Sequence, residues 1–312
     1  MNKFKISIHP EKNSFSNVDF LPMPKIINNF VKGKHRNLEI IGKFKCGKLK
    51  FSEILKIVSD HWNSLKTMHI ENMEDSNEIF IWSFDDILFE TLYLTKLTLT
   101  KCTMNHFEKL QYAQFEFLKS LKLIRTGNKS AISNFLLTCP VLEELTIESF
   151  NKNEMIDFLY LFPFQLKKLK LYLRQKLIID EEILTFLLLQ FESLKEITIS
   201  MGISQNLIEN ILNEGNFEKL EIGLSPFIEN LKLEGRKENI KELILKGNIL
   251  NFENLKTIFK QQSGIKTIRF PDWSLENNEI IFKHVVSLKT YLQNLENIFI
   301  QNEKKSFEDI EI

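Results

Sequence analysis

Apolar residues in this chain return at the first, fourth and sixth places of a short phrase. Leu94-Leu97-Leu99 and Leu118-Leu121-Leu123 are followed by Leu142-Leu145-Ile147, Leu166-Leu169-Leu171, Leu194-Ile197-Ile199, Phe217-Leu220-Ile222 and Ile240-Leu243-Leu245, with a new start every 23 to 28 residues. The end of each phrase alternates apolar with polar, the period of a half-buried strand whose fourth and sixth side chains point inward. Between phrases the apolar spacing becomes helical, as in Ile54, Ile57, Val58 and Trp62, in Ile208, Ile211 and Leu212, and in Leu255, Ile258 and Phe259. Ser204 stands where it can cap a helix before Leu207, while Gly215 and Gly264 stand where a helix must release the chain toward the next strand. The repeating unit so predicted is strand, turn, helix and return. At the N-terminus, Phe4 to Ile8 alternates as one more strand.

Weaker phrases at His35-Leu38-Ile40, Leu65-Met68-Ile70, Ile265-Ile268-Phe270 and Leu295-Ile298-Ile300 extend the array in both directions. One phrase is out of step. Ile228-Leu231-Leu233 falls between Phe217 and Ile240 and leaves too few residues for a complete coil with a helix. The expectation is that Leu231 and Leu233 form an outer strand in place of that coil's helix; the alternative is a narrow coil with no helix at all.

Periods of this length built on Leu-x-x-Leu-x-Leu resemble leucine-rich repeats. The resemblance implies an α/β solenoid of about eleven or twelve coils, each packing only on its neighbours. Strands stack about 4.8 Å apart and helices about 10 Å apart, so the expected form is a horseshoe with a parallel sheet on the concave face and helices on the convex face. Residues 1–34 are read as an N-terminal strand and capping segment, 35–302 as the repeat array and 303–312 as a C-terminal tail.

Composition narrows the function classes. Acidic and basic residues balance at 41 each, so no net field draws the chain to nucleic acid or to an anionic membrane. Cys46, Cys102 and Cys139 are odd in number and far apart, poor material for a disulfide framework and suited to a cytoplasmic or nuclear compartment. No signal-peptide core and no apolar run long enough to span a bilayer is found.

Candidate chemistry is sparse. Cys102 holds the ninth place counted from Leu94, and Asn248 the same place after Leu245, where such repeats put Asn or Cys to bond backbone groups as the chain turns away from the strand. The six histidines show no metal-binding spacing, the acid pairs Asp85-Asp86 and Asp180-Glu181-Glu182 precede apolar runs as helix first turns do, and phosphate loops and nucleophile elbows are missing. No enzyme and no cofactor are expected. The third, fifth and seventh places of each phrase point outward from the sheet and should form a binding face for a protein partner. Their signs alternate from coil to coil, which disfavours a nucleic-acid track. Lys168, Lys170, Tyr172 and Arg174 are the first candidate hot spot, an aromatic among cations. Arg269 with Trp273 is the second.

The segment Leu136-Leu137-Thr138-Cys139-Pro140-Val141-Leu142-Glu143-Glu144-Leu145-Thr146-Ile147 resembles the Cys-Pro-x-Leu-Glu-x-Leu-x-Leu repeats of F-box proteins with leucine-rich repeats. Trp62-Asn63-Ser64-Leu65-Lys66 and Phe117-Leu118-Lys119-Ser120-Leu121-Lys122-Leu123 are similar to that group's irregular coils, and the resemblance runs over residues 35 to 300. It implies a substrate-recognition array of a ubiquitin ligase, in which an F-box would hold the Skp adaptor and, through it, a cullin. The F-box itself is not visible, since the Val-Cys-x-x-Trp ending that should follow Leu21-Pro22-Met23-Pro24 is replaced by Gly33-Lys34-His35-Arg36. The strand at Phe4 to Ile8 resembles what comes just after an F-box, which would make Met1 an internal methionine. The expected function is protein binding as the receptor part of such a ligase; the alternative is a stand-alone scaffold or inhibitor with no ligase role.

Overall fold

A computed structural model of the chain describes residues 3–8, 37–42, 66–72, 80–82, 93–100, 102–104, 115–125, 136–149, 165–173, 191–224, 228–247, 252–272, 291, 293–300 and 303–305. The chain divides into two compact units, one made of Met1–Ser149 with Asn153–Pro163, the other of Phe150–Lys152 with Phe164–Ile312.

The first unit holds β1 (Lys3–Ile8), β2 (Asn37–Gly42), β3 (Thr67–Asn72), β4 (Phe80–Trp82), β5 (Lys96–Thr100), β6 (Cys102–Met104), β7 (Ser120–Ile124) and β8 (Glu144–Ser149). Neighbours in the order β1-β2-β3-β5-β7-β8 pair in parallel, and β4 pairs with β6 apart from them. Register turns the sequence repeat into columns. Leu97, Leu121 and Leu145 stand opposite one another, as do Leu99, Leu123 and Ile147, and each is at most 1% exposed. Burial of such a side chain contributes about 1.5–3 kcal/mol, so the phrase itself supplies the core that stacks one coil on the next.

The second unit holds β9 (Lys168–Leu173), β10 (Glu196–Ile203), α1 (Gln205–Glu214), β11 (Lys219–Leu224), β12 (Glu242–Lys246), α2 (Phe252–Gln261), β13 (Thr267–Phe270), β14 (Asn297–Ile300) and β15 (Glu303–Lys305). Strands β9 to β14 are parallel in sequence order, and β15, formed by residues the sequence assigns to the tail, pairs antiparallel with β14.

Two local devices recur. The backbone carbonyl of the second residue in most described phrases accepts two N–H groups from the next: Lys66 from Thr95 and Lys96 at 2.9 and 3.1 Å, Lys195 from Glu218 and Lys219 at 2.8 and 3.0 Å. Before the phrase comes a turn in which Leu118, Leu142 and Leu194 donate to the carbonyls of Phe115, Cys139 and Phe191. Cys139 thus fills the buried place that phenylalanine takes in the other two coils, and Pro140 follows where a turn favours a fixed φ. The Cys-Pro signature is a turn with a buried side chain.

Helices appear at two of the three predicted spans; residues 54–62 lie outside the described residues. On α1 the buried stripe is Leu207, Ile208, Ile211 and Leu212, and the Ser204 side chain accepts from the Leu207 N–H at 3.3 Å, the predicted cap. On α2 the buried residues include Leu255, Ile258 and Phe259. Gly215 has φ of −65°, an ordinary value, so its role is space: a Cβ there would strike the Phe217 ring and the Ile211 carbonyl.

The irregular coil departs from its expectation. Residues 228–240 run beside α1 and α2 but form no strand; Lys237 makes a single bridge with Gln262. The reason is that the neighbours of this strap are helices, which offer no backbone ladder, so side chains replace it. Gln205, Glu209 and Asn213, one helical turn apart on α1, accept from the N–H groups of Glu229 (3.2 Å), Lys232 (2.8 Å) and Glu234 (2.9 Å). From α2, Asn254 accepts from Leu231 N–H and donates to the Glu229 carbonyl, both at 2.9 Å, while Gln261 donates to the Glu234 carbonyl at 2.9 Å. Gly264 lets the strap come close, since a Cβ would collide with the Glu238 carbonyl.

Candidate functional site

The alternation predicted for the strands leaves most third, fifth and seventh side chains of the described phrases out of the core, with Ile244, Thr198 and Thr100 buried as exceptions. In β7 the burial alternates residue by residue, with Leu121 and Leu123 buried and Lys122 exposed between them. These rows are the candidate site, and the two units furnish them differently.

In the second unit most charges of this face are closed on one another, Lys170 excepted. Lys168 pairs with Glu196 at 2.9 Å, and Lys219 with Glu242 at 2.6 Å. Arg269 reaches the other oxygen of Glu242 at 2.7 Å while its guanidinium lies 3.9 Å from the Phe299 ring centroid. Lys246 pairs with Glu221, whose second oxygen accepts from the Thr198 hydroxyl at 3.1 Å, and the same ammonium stands 5.9 Å from the Tyr172 ring. Burial pushes the Glu242 carboxyl up, but the bonds from Lys219 and Arg269 outweigh it and hold the group below the usual carboxylate range.

The first unit is open. Lys119 pairs with Glu143 at 3.3 Å and Arg125 with Glu148 at 3.2 Å, but Lys96 and Lys122 are exposed and make no ion pair among the described residues. At the entry to β5 and β7, Tyr93 and Phe117 stand one place before the first leucine of their phrases. Their rings stack with centroids 5.6 Å apart, and they remain 42% and 46% exposed. The Lys66 ammonium lies 5.7 Å from the Tyr93 ring, close enough for a cation–π contact.

Of the first hot spot, Lys168 and Tyr172 are engaged within the sheet face, Lys170 is on it without an ion pair among the described residues, and Arg174 lies outside the described residues. Arg269 is held by Glu242 and Phe299, and Trp273 lies outside the described residues. Cys102 opens β6, and Asn248 is outside the described residues. The unusual backbone in two coils falls one place earlier, at the eighth position: Arg125 has φ of 50° and Gly247 of 90°. Glycine meets that conformation without steric cost; arginine does not.

Sequence reasoning passed over Tyr93 and Phe117. The signal was available, since an aromatic immediately before the phrase's first leucine is off the inward pattern of positions one, four and six. Cys139 is no reactive group: burial pushes its thiol up to about 12, against a smaller lowering by the Thr138 hydroxyl, and a thiol without thiolate is inert. Among the described residues no three of His, Cys, Asp and Glu gather as metal ligands would, and no helix is long and apolar enough to cross a membrane.

The leucine-rich repeat-containing protein LegL7 from Legionella pneumophila, known from its crystal structure, is similar to this chain with a TM-score of 0.50 over 98% of this chain and 94% of that one, at 13% identity. The fold is that of a leucine-rich-repeat solenoid. No family model matches the chain, and no curated protein matches it in sequence.

Proposed function

We propose that the chain is a protein-binding module that works through the outward face of its sheet. The observation that carries this reading is the set of rows at the third, fifth and seventh places, most of them left exposed or half-buried above core columns such as Leu97, Leu121 and Leu145. Mixed signs along those rows suit a protein surface better than a nucleic-acid backbone, which asks for cations throughout. The test is a photo-crosslinking amino acid placed at Lys122 or Lys170, on the outward face, and at Glu253, exposed on the outer helix α2. The expected result is a defined protein adduct from the first two sites and none from the third; adducts from Glu253 alone would contradict it.

The substrate-receptor role, with a Skp adaptor and a cullin as further partners, is the narrower form of this reading. What supports it is the Cys139-Pro140-Val141-Leu142 resemblance, whose residues serve a turn that Phe115 and Phe191 serve elsewhere. The scaffold or inhibitor role needs no ligase. Co-purification of the chain with a Skp adaptor from its native cells favours the receptor; its partner proteins arriving without any adaptor favour the scaffold.

A further inference from the structure

The two units differ in what their cations face, and that difference identifies a ligand chemistry. Resting on the protein-binding reading above, we infer that the outward face of the first unit, over β5 and β7, takes an extended acidic segment of a partner protein that carries one large apolar side chain. The apolar anchor sits on the stacked pair Tyr93 and Phe117, two rings nearly half exposed beside charged neighbours. Aromatic pairs of this kind supply much contact area with little rotamer entropy to lose, which is why they become hot spots. Both lysines lie C-terminal to the rings on parallel strands, so carboxylates on one side of the anchor meet Lys96 and Lys122, which no acid among the described residues neutralises, while Lys66 is already drawn to the Tyr93 ring.

Distance favours an extended segment. Tyr93 precedes Lys96 by three residues and Phe117 precedes Lys122 by five, so at about 3.3–3.6 Å per residue a chain of a few residues reaches from the rings to either ammonium. Lys96 and Lys122 lie on neighbouring parallel strands, with Lys96 beside Ser120 and Thr98 beside Lys122. The cationic strip is therefore two strands wide. On its far side β8 presents Glu144 and Glu148, with Glu143 just before it, so the cationic strip ends at β7. A short acidic peptide fits between those limits; a nucleic-acid strand does not.

The experiment is fluorescence anisotropy with a labelled synthetic peptide of Asp and Glu bearing a single Phe at one end, measured on the full chain at low and moderate salt. Controls are the same peptide with Asn and Gln, the same peptide with Ala for Phe, and a single-stranded thymidine oligonucleotide. The expected result is saturable binding that weakens with salt and falls about tenfold for each control peptide, and about tenfold for Lys122→Glu, Lys96→Glu and Phe117→Ser. Lys232→Glu, a charge reversal on the exposed strap of the second unit and off the sheet face, should leave the affinity unchanged. Unaltered circular dichroism of each variant separates lost binding from lost folding. No saturable binding, equal losses in Lys122→Glu and Lys232→Glu, or equally tight binding of the oligonucleotide would overturn the inference. Adducts at Lys122 with no acidic-peptide binding would sink this inference alone; absence of both would sink the protein-binding reading with it.

Discussion

The second unit turns its polar side chains inward on its own structure, and the first leaves several turned outward. In the second, Lys168, Lys219, Arg269 and Lys246 each find an acid on the same sheet face, and Gln205, Glu209, Asn213, Asn254 and Gln261 serve the backbone of the strap. In the first, Lys96 and Lys122 have no such acid among the described residues, and the stacked rings of Tyr93 and Phe117 stay nearly half exposed. A repeat protein uses one phrase to make every coil, so coils are equal in core and unequal in what they do with the positions the core does not claim. Polar groups already satisfied within the fold contribute to stability. Groups left open are available to a partner.

That contrast can be broken first at the strap. Gly264→Val drives a side chain into the Glu238 carbonyl, and such overpacking should cost about 1–3 kcal/mol in urea unfolding of the second unit. Asn254→Leu keeps the volume but orphans the Leu231 N–H and the Glu229 carbonyl at a site 1% exposed. The expected loss is about 2 kcal/mol, with faster hydrogen exchange at Leu231. Next in size is Gly247→Ala, which forces a Cβ into the left-handed region at φ of 90° and should cost about 1–2 kcal/mol by the same assay.

Glu242→Gln tests the closed charges. A carboxyl depressed on folding contributes stability that is complete above the ordinary carboxylate range and is lost as pH falls through the depressed pKa. The variant should therefore be less stable than the parent near neutral pH, by under about 1 kcal/mol because the pair is partly solvated, and the gap should close in acid. The smallest expected stability effect is that of Lys122→Glu, within about 0.5 kcal/mol of the parent, although its effect on peptide binding is large.

How much of this was legible in the sequence follows from what each feature depends on. The strands were legible because Leu, Ile and Phe at places one, four and six are both the pattern and the core; so was the Ser204 cap, which acts within four residues. The strap was half legible. Leu231 and Leu233 announced an extended outer segment, but its bonding comes from Gln205, Asn213 and Asn254, which are distant in sequence and read there as surface polar residues of a helix. The first candidate hot spot shows a related limit. Lys168 beside Tyr172 reads as a cation and an aromatic on offer, yet Glu196 and Lys246, brought in by other strands, occupy them. Charge closure is a property of register between coils, and only the folded sheet displays it.

One pair of variants measures the central contrast directly: the urea midpoint and the acidic-peptide Kd of Asn254→Leu and of Lys122→Glu, each against the parent. The expected result is a lowered midpoint with unchanged Kd for the first, and an unchanged midpoint with a Kd raised about tenfold for the second. Both variants moving the same quantity, whichever it is, would contradict the division of labour between the two units.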